Sequence, residues 1–143
     1  LLGESLLGRR VYDVLTTLDL LVHEGARRVH LYGCGQGAIL ALFAGFLHPM
    51  TASVVLKNGP LSYHSWAQVP LVGWPITDAL WGVLIHFDLP DLIRALADKV
   101  TLVQPWGPDP TPLSSRALTQ TLKATGLSSV NRLSARSFRA TLS

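Results

Sequence analysis

The first pattern in the chain is an amphipathic helix. Apolar residues recur at every third or fourth position through residues 8–24, and Gly25 predicts the end of that helix. A helix of this kind usually links two strands, yet no strand pattern precedes it. We therefore expect the chain to start inside a domain, beyond that domain's first strands.

Short, almost wholly apolar runs alternate with helical patterns over the rest of the chain. Runs of this type are typical of parallel strands that are covered on both sides. The alternation predicts an α/β fold with a parallel sheet and helices on both faces. The predicted strands are 28–32, 52–56, 100–103 and a weak one at 129–133, and the predicted helices are 38–47, 90–98 and 113–124.

Residues 61–87 differ from this alternation. They hold three of the four tryptophans, together with Tyr63, His64 and His86. The segment is predicted to be a cap-like excursion of short helices. Its aromatic rings either line a pocket for an acyl or carbohydrate group or pack the excursion against the sheet.

Composition and charge exclude several classes of protein. Apolar residues make up 48% and charged residues 15% of the 143 residues, which is typical of a globular domain. The net charge of +3 comes largely from a basic tail whose cations are spaced out without an aromatic platform, so we expect no nucleic-acid partner. No apolar run reaches the roughly 20 residues of a membrane span. Cys34 is the only cysteine, and no His, Cys, Asp and Glu set has metal-ligand spacing, so neither a disulfide nor a metal is expected.

A glycine cluster at the end of the first predicted strand is the most informative motif. Gly33 and Gly37 match the outer glycines of the nucleophile elbow, G-x-Ser-x-G, which holds a nucleophile at a strained strand-to-helix turn. The central position is Gly35, which has no oxygen or sulfur to attack a carbonyl.

The same segment fits a second motif. Gly33, Gly35 and Ala38 satisfy G-x-G-x-x-G/A of dinucleotide-binding Rossmann folds. The acidic residue expected about 20 positions later is missing, but Lys57 lies where a cation meets the 2′-phosphate of NADP. An NADP-binding module and a tight turn without a ligand therefore stay open as alternatives.

Three longer segments resemble a known family. They are residues 8–38, residues 52–66 (ASVVLKNGPLSYHSW) and residues 87–113 (FDLPDLIRALADKVTLVQPWGPDPTPL). In order and spacing they resemble the second half of acetyl xylan esterase-like α/β-hydrolases, relatives of prolyl oligopeptidase and dienelactone hydrolase. The resemblance implies that residues 1–127 are the C-terminal half of such a domain, with 61–87 as its cap-like segment and 128–143 as a weak last strand and basic tail.

The resemblance also implies a catalytic set, of which little remains. It places the nucleophile at Gly35, one oxyanion-hole N–H at Gln36, and the acid in the loop after the third strand, where Asp109 is the only carboxylate. The catalytic histidine of such enzymes comes last in the chain, and no histidine follows Asp109. The expected function is that of a carboxylic or carbohydrate ester hydrolase relative that is inactive as this chain stands and needs no cofactor.

Two further predictions concern the surroundings of the turn. Cys34 lies one position before the nucleophile and is predicted to be a buried structural thiol rather than a substitute nucleophile. A sheet that starts at residue 28 lacks neighbours on one side. A third hypothesis is therefore a non-enzymatic subunit whose sheet is completed by another chain or copy.

Overall fold

The chain folds as a parallel sheet with helices, and the computed structural model describes residues 5–134 and 136–138. The four strands are β1 (Val29–Cys34), β2 (Thr51–Lys57), β3 (Val100–Val103) and β4 (Asn131–Leu133). The helices are α1 (Leu6–His23), α2 (Gln36–Leu47), α3 (His64–Ala67), α4 (Leu89–Leu96) and α5 (Ser115–Ala124), with 3₁₀ turns at Ile76–Asp78, Val83–Ile85 and Ala97–Lys99. This confirms the predicted α/β class.

The predicted boundaries are close to the observed ones, and the differences have local causes. β1 runs two residues further than predicted because Gly33 and Cys34 still pair with β2. α5 starts at Ser115 because the hydroxyl of Ser114 accepts a hydrogen bond from the Ala117 N–H at 3.2 Å and caps the helix. The third strand is confirmed residue for residue.

All strands are parallel, and their order across the sheet is β1-β2-β3-β4. Right-handed connections that all step in the same direction place their helices on the same face. α2, α4 and α5 accordingly share one core, and Arg94 of α4 donates a hydrogen bond to the Thr125 carbonyl at the end of α5 at 3.1 Å. We call this the helix face of the sheet.

The prediction of helices on both faces needs a correction. On the opposite face, the part of the chain that the structure describes supplies only a helical turn at residues 136–138. Phe138 of that turn stacks on Tyr32 of β1, with ring centroids 5.6 Å apart. Right-handed connections between strands in this order place α2, α4 and α5 together on the helix face, so none of these described helices covers the second face.

The core lies between the sheet and α2. This helix is apolar nearly all round and is covered by α1 on one side and by the sheet on the other. Ile39 and Leu42 of α2 pack against Val54 and Val100, and all four side chains are at most 2% exposed. Burial of an aliphatic side chain of this size stabilises a fold by roughly 1.5–3 kcal/mol.

β1 and α2 approach each other closely at one glycine. A Cβ atom on Gly33 would lie 2.2 Å from the carbonyl oxygen of Gly37 and 2.6 Å from the Cα of Ala38. Both are backbone atoms that cannot move aside without moving the helix. A side chain at position 33 is therefore incompatible with the observed packing.

The excursion at residues 61–87 contains short helices, as predicted, and its rings pack on one another. Trp66 stacks on Trp74 at 6.0 Å between centroids, and Trp74 contacts Trp106 at 6.2 Å. The indole N–H of Trp74 donates to the Gly107 carbonyl at 2.8 Å. These three rings tie the excursion to the loop after β3 and favour the packing role over the pocket-lining role.

Asp88 joins the start of the excursion to α4. Its carboxylate accepts hydrogen bonds from the Ser62 hydroxyl at 2.5 Å and the Tyr63 N–H at 2.7 Å. It also accepts from the Leu89 N–H at 2.7 Å and so caps α4. One carboxylate thus fixes both ends of the excursion.

Asp78 is a buried carboxylate between the excursion and α1. It is 2% exposed, and one of its oxygens lies 3.6 Å from the guanidinium of Arg10. The other oxygen has no partner among the described residues. Burial raises the pKa of Asp78, and the charge of Arg10 offsets only part of that effect.

Substitution of Gly33 by alanine is expected to destabilise the fold by about 1–3 kcal/mol or more, because the new methyl group overpacks the β1–α2 contact. Gly37→Ala is the matched control, since a Cβ there would meet no atom within 4 Å. Alanine favours a helix over glycine, so this control should be neutral or stabilising by up to about 1 kcal/mol. Urea denaturation of both variants measures the difference, and equal losses would contradict the packing argument.

Asp78→Asn is expected to stabilise the protein increasingly as the pH rises. Burial makes the pKa of Asp78 higher in the folded protein than its ordinary value of 3.8. The contribution of this carboxyl to stability is therefore largest below pH 3.8, and it is lost with rising pH as the carboxyl ionises in the folded state. The asparagine does not ionise. Thermal denaturation from pH 4 to pH 8 should therefore show a melting-temperature advantage of the variant that grows with pH. Asp98→Asn, at an exposed position, is the control that should show no such trend.

Candidate functional site

The carboxyl ends of the parallel strands meet at one edge of the sheet, where open α/β sheets bind ligands. Gly35, Asn58 and Gln104 directly follow β1, β2 and β3, and each has a positive φ, of 59°, 53° and 47°. Gly35 donates its N–H to the Lys57 carbonyl and Asn58 donates to the Val103 carbonyl, both at 2.9 Å. The three strand ends therefore form a hydrogen-bonded row with left-handed backbone conformations.

The turn at Gly35 joins β1 to α2 through an unusual backbone conformation. Its φ of 59° and ψ of −123° form a combination that L-amino acids rarely adopt, and it lies between a parallel strand and a helix. A Cβ at this position would meet no atom within 4 Å. A side chain here would thus stand in open space at the strand end.

Gln36 is the first residue of α2. Its N–H precedes the first hydrogen bonds of the helix, and no residue in the described ranges accepts it. Free N–H groups at a helix start attract anions. Gln36, to which the resemblance assigns an oxyanion-hole donor, therefore has an N–H without an acceptor among the described residues, next to Gly35.

Asp109 lies in the loop that follows β3 and is exposed. The Thr111 N–H donates to the Asp109 carbonyl at 2.6 Å, and the Gly73 N–H donates to the neighbouring Pro108 carbonyl at 3.1 Å. Its carboxylate has no hydrogen bond or ion pair with any described residue. The structure thus places Gly35 and Gln36 together, whereas Asp109 belongs to a separate loop and forms no hydrogen bond or ion pair with either of them in the described ranges.

The histidines that the described chain contains are engaged elsewhere or exposed. His30 bonds to the Ser53 hydroxyl at 2.7 Å, His48 lies 3.3 Å from Asp19, and His64 bonds to Gln68 at 3.0 Å. His23 and His86 are exposed. Within residues 5–134 and 136–138, no three His, Cys, Asp or Glu side chains are grouped so as to hold a metal ion.

The prediction of a buried Cys34 is wrong, because the thiol is exposed. Side chains alternate along a strand, and Leu31 and Gly33 point towards α2. Cys34 therefore points to the second face, on which His30 and Tyr32 of β1 are also exposed. Its sulfur lies 4.0 Å from the amide nitrogen of Asn58, one strand away.

Asn58 and Gln104 are site residues that the sequence interpretation did not single out. The amide oxygen of Asn58 is buried and has no partner among the described residues. Asparagine tolerates the left-handed region, and the turn residues from Asn58 to Pro60 were a signal for that conformation. The left-handed conformation of Gln104 has no comparable signal, since glutamine does not favour it.

Comparison with known proteins adds no relative: no family model, curated protein or solved structure matches this chain. Among the described helices none is both long and apolar enough to cross a bilayer. The geometry of the strand ends is therefore the basis for inferring the chemistry of the site.

Proposed function

We propose that this chain is a relative of carboxylic ester hydrolases that has lost its nucleophile. The observation that carries the proposal is the backbone conformation of Gly35 between β1 and α2. Together with the close approach at Gly33, it supplies the strained, exposed turn on which elbow enzymes hold a serine. The resemblance of residues 3–127 to acetyl xylan esterase-like hydrolases supports the same assignment.

The residues at this turn supply a hydrogen-bond donor for a ligand but no group that would attack an ester. Ester hydrolysis on an elbow needs a nucleophile, a general base and donors for the oxyanion. The free N–H of Gln36 is a donor for a carbonyl or carboxylate oxygen, whereas Gly35 supplies no attacking atom. An acyl-ester or carbohydrate ester ligand is the proposed occupant of the turn.

Purified chain is expected to hydrolyse neither p-nitrophenyl acetate nor acetylated xylan above background. Intact-mass measurement after treatment with a fluorophosphonate should show no adduct. Gly35→Ser is expected to stay unlabelled as well, because a hydroxyl without a general base remains a weak nucleophile. Cys34→Ser is the control for reaction at the exposed thiol.

Several outcomes would contradict this proposal. Stoichiometric labelling of the natural chain, or an acyl adduct at Cys34, would show that a nucleophile is present. Labelling of Gly35→Ser would show that a base reaches the turn. Saturable binding of NADPH with a micromolar dissociation constant, measured by energy transfer from the tryptophans, would favour the dinucleotide alternative. In the structure the ammonium of Lys57, which would meet the 2′-phosphate, lies 5.8 Å from the Phe138 ring centroid.

A second candidate function, a subunit that shares its sheet with another polypeptide, is favoured by the outer edge of β1. In the described chain β1 pairs only with β2. The Val29 and Gly35 N–H groups donate towards β2, to the carbonyls of Met50 and Lys57. Because hydrogen-bonding direction alternates along a parallel strand, the backbone groups of His30 and Tyr32 point to the open edge.

Exposed apolar side chains support the same proposal. Leu71, Ile76, Trp81 and Ile85 in the excursion are each more than 80% exposed. Apolar exposure on this scale is unusual for a protein that functions alone. A strand and covering elements from another chain or a second copy would pair the edge and bury part of this surface.

The chain is expected to self-associate in light scattering coupled to size-exclusion chromatography, with a mass above its 15.5 kDa. His30→Pro removes an outward N–H and should weaken association while the fold persists, since proline is tolerated on a strand edge. Leu31→Pro is the matched variant whose lost N–H points towards β2, so it should unfold the sheet. A cooperatively folding monomer of natural sequence would contradict the proposal.

A further inference from the structure

A cavity lies away from the Gly35 turn, between β3, β4 and the first turns of α5. Its volume is about 350 Å³, and Leu102, Gln104, Leu118 and Arg132 are among its lining residues. This volume falls within the roughly 300–1,000 Å³ of small-molecule sites. The cavity opens at the carboxyl ends of β3 and β4, the edge at which parallel sheets bind ligands.

The greater part of the cavity wall is apolar. Leu102 is 1% exposed, and Leu113 and Leu118 are half-buried. Leu133 at the end of β4 is 37% exposed. These leucines offer a hydrocarbon surface that a ligand's acyl chain or ring would remove from water.

Among the residues that the structure describes, Arg132 is the only charged one in the lining. Its guanidinium has no ion pair or hydrogen bond with any residue that the structure describes. The side chains of Gln104 and Ser115, also in the lining, likewise have no hydrogen-bond partner in the described ranges. Ser134 also lines the cavity, and its hydroxyl is hydrogen-bonded to Ser137. The polar side of the cavity thus consists of one unpaired cation, two unoccupied hydrogen-bonding groups and the occupied hydroxyl of Ser134.

The charge around the cavity favours an anion. No Asp or Glu follows Asp109 in the sequence, so β4 and α5 contain no carboxylate that would pair with Arg132. A guanidinium binds a carboxylate through two parallel hydrogen bonds. Inorganic phosphate would leave the leucines unused, and a neutral alcohol would leave the guanidinium unpaired.

We propose that this cavity binds a small monocarboxylate that carries an acyl chain or a single aromatic ring. The carboxylate lies on Arg132 and the hydrocarbon lies among Leu102, Leu113 and Leu118. Gln104 supplies an amide at the rim, and its φ of 47° is a strained conformation of the kind found at binding sites. Gly35 and Gln36 do not line this cavity, so the binding of a monocarboxylate is independent of the proposed hydrolase ancestry.

Titration of the ¹⁵N-labelled chain with hexanoate, followed by amide chemical shifts, tests the proposal. Hexanoate should produce saturable shifts at Ser115, Leu118 and Leu133. Acetate lacks the hydrocarbon and hexan-1-ol lacks the charge, so each should bind at least about tenfold more weakly than hexanoate. Arg132→Gln should also weaken hexanoate binding at least about tenfold.

Two variants sharpen the test. Arg116→Gln removes the same charge from an exposed position of α5 outside the lining and should leave hexanoate binding unchanged. Leu118→Trp fills the cavity and should abolish binding while the amide spectrum stays dispersed. Equal weakening by the two arginine variants, equal binding of hexanoate and hexan-1-ol, or shifts confined to other residues would overturn the proposal.

Discussion

The contact between the end of β1 and the start of α2 is the constraint on which the rest of the structure depends. At Gly33 the backbone of the strand lies so close to the backbone of Gly37 and Ala38 that a side chain has no space. This approach brings α2 onto the sheet and allows Ile39 and Leu42 to enter the core. It also forces the chain to reverse within one residue, so Gly35 takes a conformation that other residues avoid.

The direction of the crossovers decides what remains exposed. β1 to β4 are adjacent in chain order, and parallel connections are right-handed as a rule, which agrees with the shared core of α2, α4 and α5 on one face. The second face retains the exposed thiol of Cys34 and is partly covered by Phe138. The outer edge of β1 is unpaired in the described chain for the same reason. Exposure of this kind is a property of the topology and not of any single residue.

The two proposed sites share the carboxyl edge of the sheet but differ in chemistry. At β1 the site consists of backbone groups, a strained glycine and a free N–H, which are suited to an oxygen of an ester. At β3 and β4 it consists of side chains, a guanidinium together with leucines that range from buried to exposed. Gly35, Asn58 and Gln104 show that the ends of β1, β2 and β3 share a left-handed backbone conformation.

The sequence alone determined the alternation of strands and helices, because apolar periodicity is a local property of the chain. It predicted β3 residue for residue and the glycine turn around Gly35, where the absence of a side chain has a direct conformational consequence. Only the tertiary structure decided which face of the sheet is covered, and hence that Cys34 is exposed. The same holds for Asp78, whose burial against Arg10 joins segments 68 positions apart, and for the cavity at Arg132. These features depend on contacts between distant segments, and periodicity within one segment carries no information about its partner.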